Sequence, residues 1–322
     1  SGLIVSATGT IHVDGRLTAL GTAPVSLTTA GKIVLPADSE IGSLSGDITL
    51  SANAGGTTSG SFTGIEANRT RISSTAGDIR LVAQSGSDGG LGVVLANSTI
   101  ESLGASAATA GSIAIDGTSI HETGVLSTDS TRIAAVAGHI SISGQGGQVG
   151  GSFRSGVTLE LGTEVTTTGA GADAGDISIV GTAGGSDNSQ IGVSLKGTGD
   201  GVRINAVDGD ISIHGTTSNG GTNSDGILLD GAMISSTGDG NILLTGTATA
   251  GNALQFISDG RAVTNSGDIL LDANGDLTTT SGGPPVLSAT AGAITIDSTG
   301  TLRVAGDIDH GSGGTTIDGG SG

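Results

Sequence analysis

A short unit of alternating residues, bounded by glycine, recurs along this chain and limits what it can fold into. Residues 192–215 contain one complete copy, G-V-S-L-K-G-T-G-D-G-V-R-I-N-A-V-D-G-D-I-S-I-H-G. Three runs within it alternate apolar and polar residues, which is the pattern of a half-buried β-strand. Glycine and aspartate stand between the runs, where they favour turns. The unit therefore predicts three short strands joined by tight corners.

The third strand of the unit, G-x-I-x-(L/I/V), sets the period of the repeat. Its copies begin at Gly31, Gly46, Gly77, Gly111, Gly138, Gly175, Gly209, Gly240, Gly267 and Gly292, with a degenerate copy at Gly306. Most of the intervals are 25 to 37 residues, which indicates a β-solenoid or a propeller. Propeller blades need about 40–45 residues and usually carry aromatic signatures. Because the chain has three phenylalanines and no tyrosine or tryptophan, the solenoid is favoured.

The first and middle strands of the unit recur as well. The first strand reads G-(I/V)-x-L, and the middle strand has one aliphatic residue followed by small hydroxyl residues. First-strand copies begin at Gly64, Gly92, Gly124, Gly156, Gly192 and Gly226, and middle-strand copies centre on Ile72, Ile100, Val165 and Ile234. We predict an all-β parallel β-helix (β-solenoid) with three short strands per coil and about ten coils. We expect it to be right-handed, because parallel crossovers nearly always are.

Differences in repeat length divide the chain into parts. Residues 1–30 are predicted to form irregular or short coils, 31–310 the β-helix shaft, and 311–322 a Gly/Ser-rich tail. Insertions fall mainly after the third strand, as at 144–155 and 181–190. No amphipathic helix is predicted to cover the unpaired strand edges at either end. We expect the solenoid to continue beyond this chain or to stack end to end on another copy.

Charge and composition argue against several classes of protein. The formal net charge is −19 with two lysines, whereas nucleic acids and anionic membranes bind basic surfaces. No apolar run approaches the roughly 18 residues that span a bilayer, so no membrane insertion is predicted. The absence of cysteine removes thiolate nucleophiles and thiolate metal ligands. The composition fits an extracellular or bacterial cell-surface location.

An aspartate follows the glycine in many third-strand motifs. These residues are either a ladder of calcium ligands or turn residues whose side chains point to solvent. Other copies carry lysine or alanine, which a metal ladder would not tolerate, so we favour the turn and predict no metal or cofactor. The aspartates are Asp47, Asp78, Asp176, Asp210 and Asp268, and the replacements are Lys32, Ser112, His139, Asn241 and Ala293.

Parallel β-helices also include polysaccharide lyases and hydrolases, whose sites need a close carboxylate pair or carboxylates near a basic residue. The candidates are Glu160 with Glu164, and Glu66 with Arg69, Arg71 and Arg80. We favour solvated groups or surface ion pairs for all of them, since the chain lacks the tryptophan and tyrosine platforms usual in carbohydrate clefts. We therefore predict no catalytic residue and no enzyme activity.

Three weaker patterns predict no site. The histidines lack metal-binding spacing, and we expect them on strands or corners facing solvent. Gly197–Gly201 resembles a phosphate loop in composition alone. Threonine rows at 166–168 and 278–280 do not make an ice-binding face, because the matching positions elsewhere are Ser, Ala or Glu. The histidines are His12, His121, His139, His214 and His310.

The three strand motifs together resemble the coils of filamentous-haemagglutinin-like adhesins over residues 31–310. These adhesins are large bacterial exoproteins of the two-partner secretion type. The resemblance implies a right-handed β-helical shaft that is secreted across an outer membrane and used at the cell surface. It implies no catalytic residues, and the family's amino-terminal secretion motif, of the type N-P-N-G, is not in this chain.

We therefore expect a structural and adhesive segment of a large secreted or cell-surface fibre, acting as a spacer and a contact surface. The expected partners are host or neighbouring-cell surfaces, glycans or like subunits. Two alternatives stay open at this point. One is a carbohydrate-active β-helix enzyme, with the corner loops at 144–155 and 181–190 lining a cleft. The other is a subunit of an extracellular filament stacked end to end.

Overall fold

The protein is all-β, parallel and solenoid-like. The computed structural model describes residues 2–147, 149, 154–185, 188–197, 201–218, 221, 223–280 and 286–319. Within those residues there are 32 strands, and the helical content is one 3₁₀ turn at Gly171–Asp173. The strands pair in parallel with equivalent strands of neighbouring repeats.

Strands of the third-strand type form one continuous ladder. Each copy of the motif lies directly beside the next copy, so that equal residues meet in register, as Ile79 does with Ile113. Two of these strands are long enough to continue around a corner into the neighbouring ladder. The ladder contains Leu3–Ala7, Val25–Thr29, Ile48–Ala52, Ile79–Gln84, Ile113–Thr118, Ile140–Gly146, Ile177–Ala183, Ile211–Thr217, Ile242–Ile257, Ile269–Thr280, Ala293–Ser298 and Gly314–Gly319.

Strands of the first-strand type form a second ladder, which shares a 21-stranded sheet with the previous one. It receives the second halves of Ile242–Ile257 and Ile269–Thr280. Its other strands are Ile11–His12, Ile33–Leu35, Ile65–Asn68, Val93–Ala96, Val125–Thr128, Ser155–Glu160, Ile191–Lys196, Ile227–Asp230 and Leu302–Arg303.

Strands of the middle type form a separate 11-stranded sheet. Each of these strands is three or four residues long. They are Arg16–Ala19, Glu40–Ser43, Arg71–Ser74, Thr99–Ser102, Arg132–Ala135, Glu164–Thr167, Arg203–Ala206, Met233–Ser236, Arg261–Thr264, Leu287–Ala289 and Ile308–His310.

One aliphatic core runs between the ladders from Ile11 to Ile296. Parallel strands lie about 4.8 Å apart, so equivalent positions of successive repeats bring their side chains into contact. Burial of each such side chain contributes about 1.5–3 kcal/mol. An aromatic ring enters this core at Phe256, which pairs with Leu229 in the first-strand ladder and is fully buried.

Two copies of the third-strand motif were assigned to the wrong ladder. Ile33, after Gly31, pairs with Ile65 in the first-strand ladder. Ile308, after Gly306, pairs with Leu287 in the middle ladder. One residue separates the glycine from the aliphatic residue in the third-strand motif, and none does in the first-strand motif. This difference of one residue does not determine which ladder a strand joins. Pairing across repeats decides which face of the solenoid a strand joins.

Paired strands extend into residues 1–30, predicted as irregular or short coils, and into 311–322, predicted as a Gly/Ser-rich tail. Residues 1–30 include Leu3–Ala7 and Arg16–Ala19, which pair with the following repeats. Within 311–322, Gly314–Gly319 pairs in parallel with Ala293–Ser298.

Insertions occupy two corners of the repeat, where we predicted mainly one. Besides those after the third-type strand, residues 103–112 and 168–176 extend the corner after the middle strand. These two loops touch each other, since the Ala107 N–H donates to Oδ1 of Asp173 at 2.7 Å. The N–H of Gly171 in turn donates to Oδ2 of Asp208 at 2.7 Å. The loops therefore form a stacked ridge along the outside of the solenoid.

Candidate functional site

The candidate site is the outer face of the middle ladder, where charged side chains stand in one column. Each middle strand turns its second residue, such as Ile72, into the core and its first residue outward. We call the outward first residues, with Glu101 beside them, the arginine column. It holds five of the chain's nine arginines, although the net charge is −19. In register order its first residues are Arg16, Glu40, Arg71, Thr99, Arg132, Glu164, Arg203, Met233 and Arg261.

Opposite charges alternate in the first part of the column. Glu40 lies between two arginines, with Oε2 3.4 Å from Nε of Arg16 and Oε1 3.5 Å from Nη1 of Arg71. Because the strands are parallel and in register, a residue's neighbours in the column are its counterparts in the adjacent repeats. Each charged side chain therefore pairs with side chains of the adjacent repeats and not with residues of its own strand.

Glu101 continues the alternation from a different backbone position. Thr99 holds the column position in this repeat, and the carboxylate comes from Glu101, two residues further along the strand. It bonds to the Arg71 guanidinium and lies 3.8 Å from Nη1 of Arg132. Its side chain is only 12% exposed, so these charges are partly desolvated. Arg132 then pairs with Glu164 at 3.7 Å.

The last part of the column has a different composition. Between Arg203 and Arg261 the column position is held by Met233. The guanidinium of Arg261 donates to the Met233 sulfur at 3.3 Å. Both arginines and Met233 line one shallow depression, together with Asp259.

An apolar strip borders the first part of the arginine column. Leu20, Leu44 and Leu103 are 81%, 52% and 43% exposed. They line one depression together with Arg16 and Arg71. Exposed leucines and arginines therefore lie side by side on this face.

The aspartates of the third-strand motif form a hydrogen-bonded ladder and not the local turn we predicted. The Asp78 N–H donates to Oδ1 of Asp47 at 3.0 Å, and the Asp210 N–H donates to Oδ1 of Asp176 at 2.9 Å. Each side chain thus accepts the backbone N–H of its own counterpart one repeat further on. The carboxylate joins two repeats and satisfies a donor that the strands leave unpaired.

Substitutions in this aspartate ladder keep its geometry where they keep an acceptor. His139 accepts the Asp176 N–H on Nδ1 at 3.0 Å, and Asn241 accepts the Asp268 N–H on Oδ1 at 2.8 Å. Lys32 was counted as an exception, but it precedes a strand of another ladder. Asp, Asn and His therefore recur in the series because each offers an acceptor to the next repeat, whereas Ala293 has none to offer.

Asp225 is the carboxylate with the most unusual environment. It is buried, and the Asn252 N–H and Nδ2–H donate to its Oδ1 at 2.9 and 3.0 Å. Burial raises the pKa of Asp225 above its ordinary value, although the hydrogen bonds from Asn252 oppose that rise. The group joins two repeats, as the aspartate ladder does, but at the corner before the first-type strand.

The predicted catalytic candidates are not brought together. Glu160 ends a strand of the first-strand ladder, whereas Glu164 starts the next middle strand and pairs with Arg132. Glu66 lies 3.6 Å from Nζ of Lys32. Of the candidate arginines, Arg69 and Arg71 line one depression together with Glu40, whereas Arg80 pairs with Asp116 at 3.2 Å in the third-strand ladder.

The histidines likewise lie apart. His121 has Nε2 3.0 Å from the carbonyl oxygen of Ser87, and His214 has Nε2 3.5 Å from Oγ1 of Thr216. Among the described residues, no three side chains of the His, Asp and Glu types are grouped as a metal site.

Other candidate segments give no array. Thr166 and Thr167 are buried, whereas Thr168 is exposed, so this row is not a flat threonine face. Part of Gly197–Gly201, of 144–155 and of 181–190 lies outside the described residues. Within the described part of the chain, no helix is long and apolar enough to cross a membrane.

Comparison with known proteins finds no match for this chain. No family model, no curated protein and no solved structure matches this chain. The resemblance to filamentous-haemagglutinin-like adhesins therefore rests on the strand motifs alone.

Proposed function

We propose that this chain is a structural and adhesive segment of a secreted or cell-surface fibre, in which it acts as a rigid spacer and a contact surface. We infer a parallel β-helix with three strands per coil, wound to the right. The regular pairing of strands with counterparts of the same motif, from Leu3–Ala7 onward, supports three strands per coil. The general preference of parallel crossovers supports the right hand.

The observation that carries the spacer function is the uninterrupted parallel pairing along the third-strand ladder. Its twelve strands, from Leu3–Ala7 to Gly314–Gly319, correspond to a rod about 50 Å long at about 4.8 Å per strand. Each repeat contacts its neighbours above and below, so stiffness comes from the stack as a whole. The aliphatic core runs from Ile11 to Ile296, and hydrogen bonds of the aspartate ladder join successive repeats, as the bond from the Asp78 N–H to Asp47 does.

The adhesive part of the proposal is supported by the arginine column and its leucine border. These groups put positive charge and apolar surface on one face of a strongly acidic molecule. Such a face would favour one orientation of a partner, because it differs in charge from a molecule whose net charge is −19. The proposed location is extracellular or on a bacterial surface, and the proposed partners are cell surfaces, glycans or like subunits.

Small-angle scattering and a bead-attachment assay test the two parts separately. Scattering from the purified chain should give an elongated particle about 50 Å long. Beads coated with the folded chain should attach to bacterial or epithelial cells, and beads coated with heat-unfolded chain should not. A globular scattering profile contradicts the spacer, and equal attachment of both bead types contradicts the adhesive surface.

The same preparation separates the two alternative functions. Reproducible cleavage of acidic polysaccharides would favour a carbohydrate-active enzyme. Light scattering that grows with protein concentration, with rods that lengthen, would favour an end-to-end filament.

A further inference from the structure

The arginine column alternates arginines with carboxylates, and this alternation ends at Met233. Successive arginines of the column are separated by one carboxylate, first Glu40, then Glu101 and then Glu164. The next gap, between Arg203 and Arg261, is filled by Met233. Two guanidinium groups therefore flank a thioether where the preceding part of the column has an anion.

The environment of these two arginines fits an external carboxylate. Arg203 is exposed and forms no ion pair within the described residues. Arg261 donates to the Met233 sulfur, which is a weak acceptor. Guanidinium groups bind carboxylates through paired, charge-assisted hydrogen bonds that a thioether cannot match. Both line one depression that is open to solvent.

We propose that Arg203 and Arg261 form a binding site for a carboxylate side chain of an acidic peptide segment, which lies over Met233. The equivalent gaps show that this spacing accepts a glutamate. Glu40 fills its gap from the column position, and Glu101 fills its gap from two residues further along the strand. A glutamate side chain on an extended segment is thus the group this spacing holds elsewhere in the molecule. The site lies on the arginine column that also supports the proposed adhesive surface, but it needs only Arg203, Met233 and Arg261 and does not depend on the leucine border or on the spacer function.

Binding of hexaglutamate peptide, followed by NMR or calorimetry at low ionic strength, tests the site. Substituting both arginines (Arg203→Gln with Arg261→Gln) should weaken binding about tenfold or more, since both charge-assisted contacts are lost. The matched control is Arg80→Gln, which removes an arginine from the third-strand ladder and should leave the affinity unchanged.

A substitution at Met233 tests directly whether a carboxylate fits between Arg203 and Arg261. Met233→Glu should place a carboxylate between the two arginines, abolish hexaglutamate binding and raise the thermal midpoint. Met233→Gln has a similar size but no charge, and it should preserve binding. Asp259→Asn removes a neighbouring carboxylate and should strengthen binding.

Three outcomes would overturn the proposal. Binding that survives the double arginine substitution places the peptide elsewhere, and failure of hexaglutamate to bind at low salt rejects the site. Oligogalacturonate that binds through the same arginines when hexaglutamate does not would assign the site to an acidic glycan.

Discussion

At the scale of single residues, the glycine of each third-strand motif is required by close stacking. A Cβ atom at Gly138 would overlap the carbonyl oxygen of Gly111, which is the same glycine one repeat earlier. Gly111 and Gly77 stand in the same relation. These glycines do not have positive φ angles, so the shape of the backbone does not require glycine there. The sequence shows where these glycines recur, and the stacking of repeats explains why glycine is needed there.

Gly138→Ala should lower the free energy of unfolding by about 2–4 kcal/mol, because the clash is with backbone that cannot rotate away. Urea denaturation measures the change. Gly9→Ala is the control, since a Cβ at Gly9 meets no atom within 4 Å, and it should change stability by less than about 0.5 kcal/mol. Equal losses in the two variants would contradict the stacking explanation.

Asp225 should make stability depend on pH in a defined direction. Its pKa is raised in the folded state, so its contribution to stability is fully present below the ordinary aspartate pKa and is lost as pH rises through the folded value. Asp225→Asn keeps an acceptor for the Asn252 N–H but cannot ionise. It should match the parent in stability at pH 3 and be more stable than the parent at pH 7.

Denaturation at a series of pH values tests the Asp225 prediction. Asp225→Ala, which loses the acceptor, should be less stable than the parent at pH 3 as well as at pH 7. If the free energies of unfolding of the parent and Asp225→Asn differ by the same amount at every pH, burial of the Asp225 charge does not cause the difference.

At the scale of elements, the middle ladder is a sheet whose outer face is organised by charge. Glu101 is the most enclosed carboxylate of the arginine column and serves Arg71 and Arg132 together. Exposed ion pairs contribute about 0–1 kcal/mol, whereas removing one member of a desolvated pair leaves an uncompensated charge. The contribution of an ion pair on this molecule therefore depends on the ladder in which it lies.

Glu101→Gln should lower the free energy of unfolding by about 1–2 kcal/mol, with a smaller loss at high salt. Asp116→Asn, in the exposed pair with Arg80, is the matched control and should cost less than about 0.5 kcal/mol. Chemical denaturation at two salt concentrations measures both. Losses of the same size in the two variants would contradict a special role for Glu101.

Most strands of these ladders could be predicted from the sequence, but their ladder membership could not always be. The alternation of Ile211 and Ile213 is visible in any copy of the motif, because strand period is a local property. The ladder to which Ile33 belongs cannot be seen in its motif, because it depends on pairing with Ile65, which is distant in the chain. The arginine column had a sequence signal, because a charged residue precedes the aliphatic residue of most middle strands. That signal can be recognised only when the pairing register of the strands is known.

At the scale of the whole molecule, a solenoid should tolerate loss of one entire repeat. Ile177 pairs with Ile211, and Ile211 pairs with Ile242. Deleting residues 211–241 would therefore place Ile242 beside Ile177 with every ladder still in register. The stack would be shorter by one layer, and nearest-neighbour contacts would be preserved elsewhere.

The chain lacking 211–241 should remain folded, with strand content per residue unchanged and a particle about 5 Å shorter by scattering. Deleting only 211–225 is the control, because it brings first-type strands beneath third-type strands and should abolish cooperative unfolding. Unfolding of both deletions would contradict independent, stackable repeats.

The amino-acid sequence determined the strands, the aliphatic core and the parallel solenoid-like class, since these depend on residue type and short-range alternation. Tertiary structure decided which copies stack on which, because register is settled by pairing between residues one repeat apart. It also decided what the polar side chains do. The aspartate ladder, the carboxylate of Asp225 and the arginine column all join neighbouring repeats, so their partners exist only after the chain has wound back over itself.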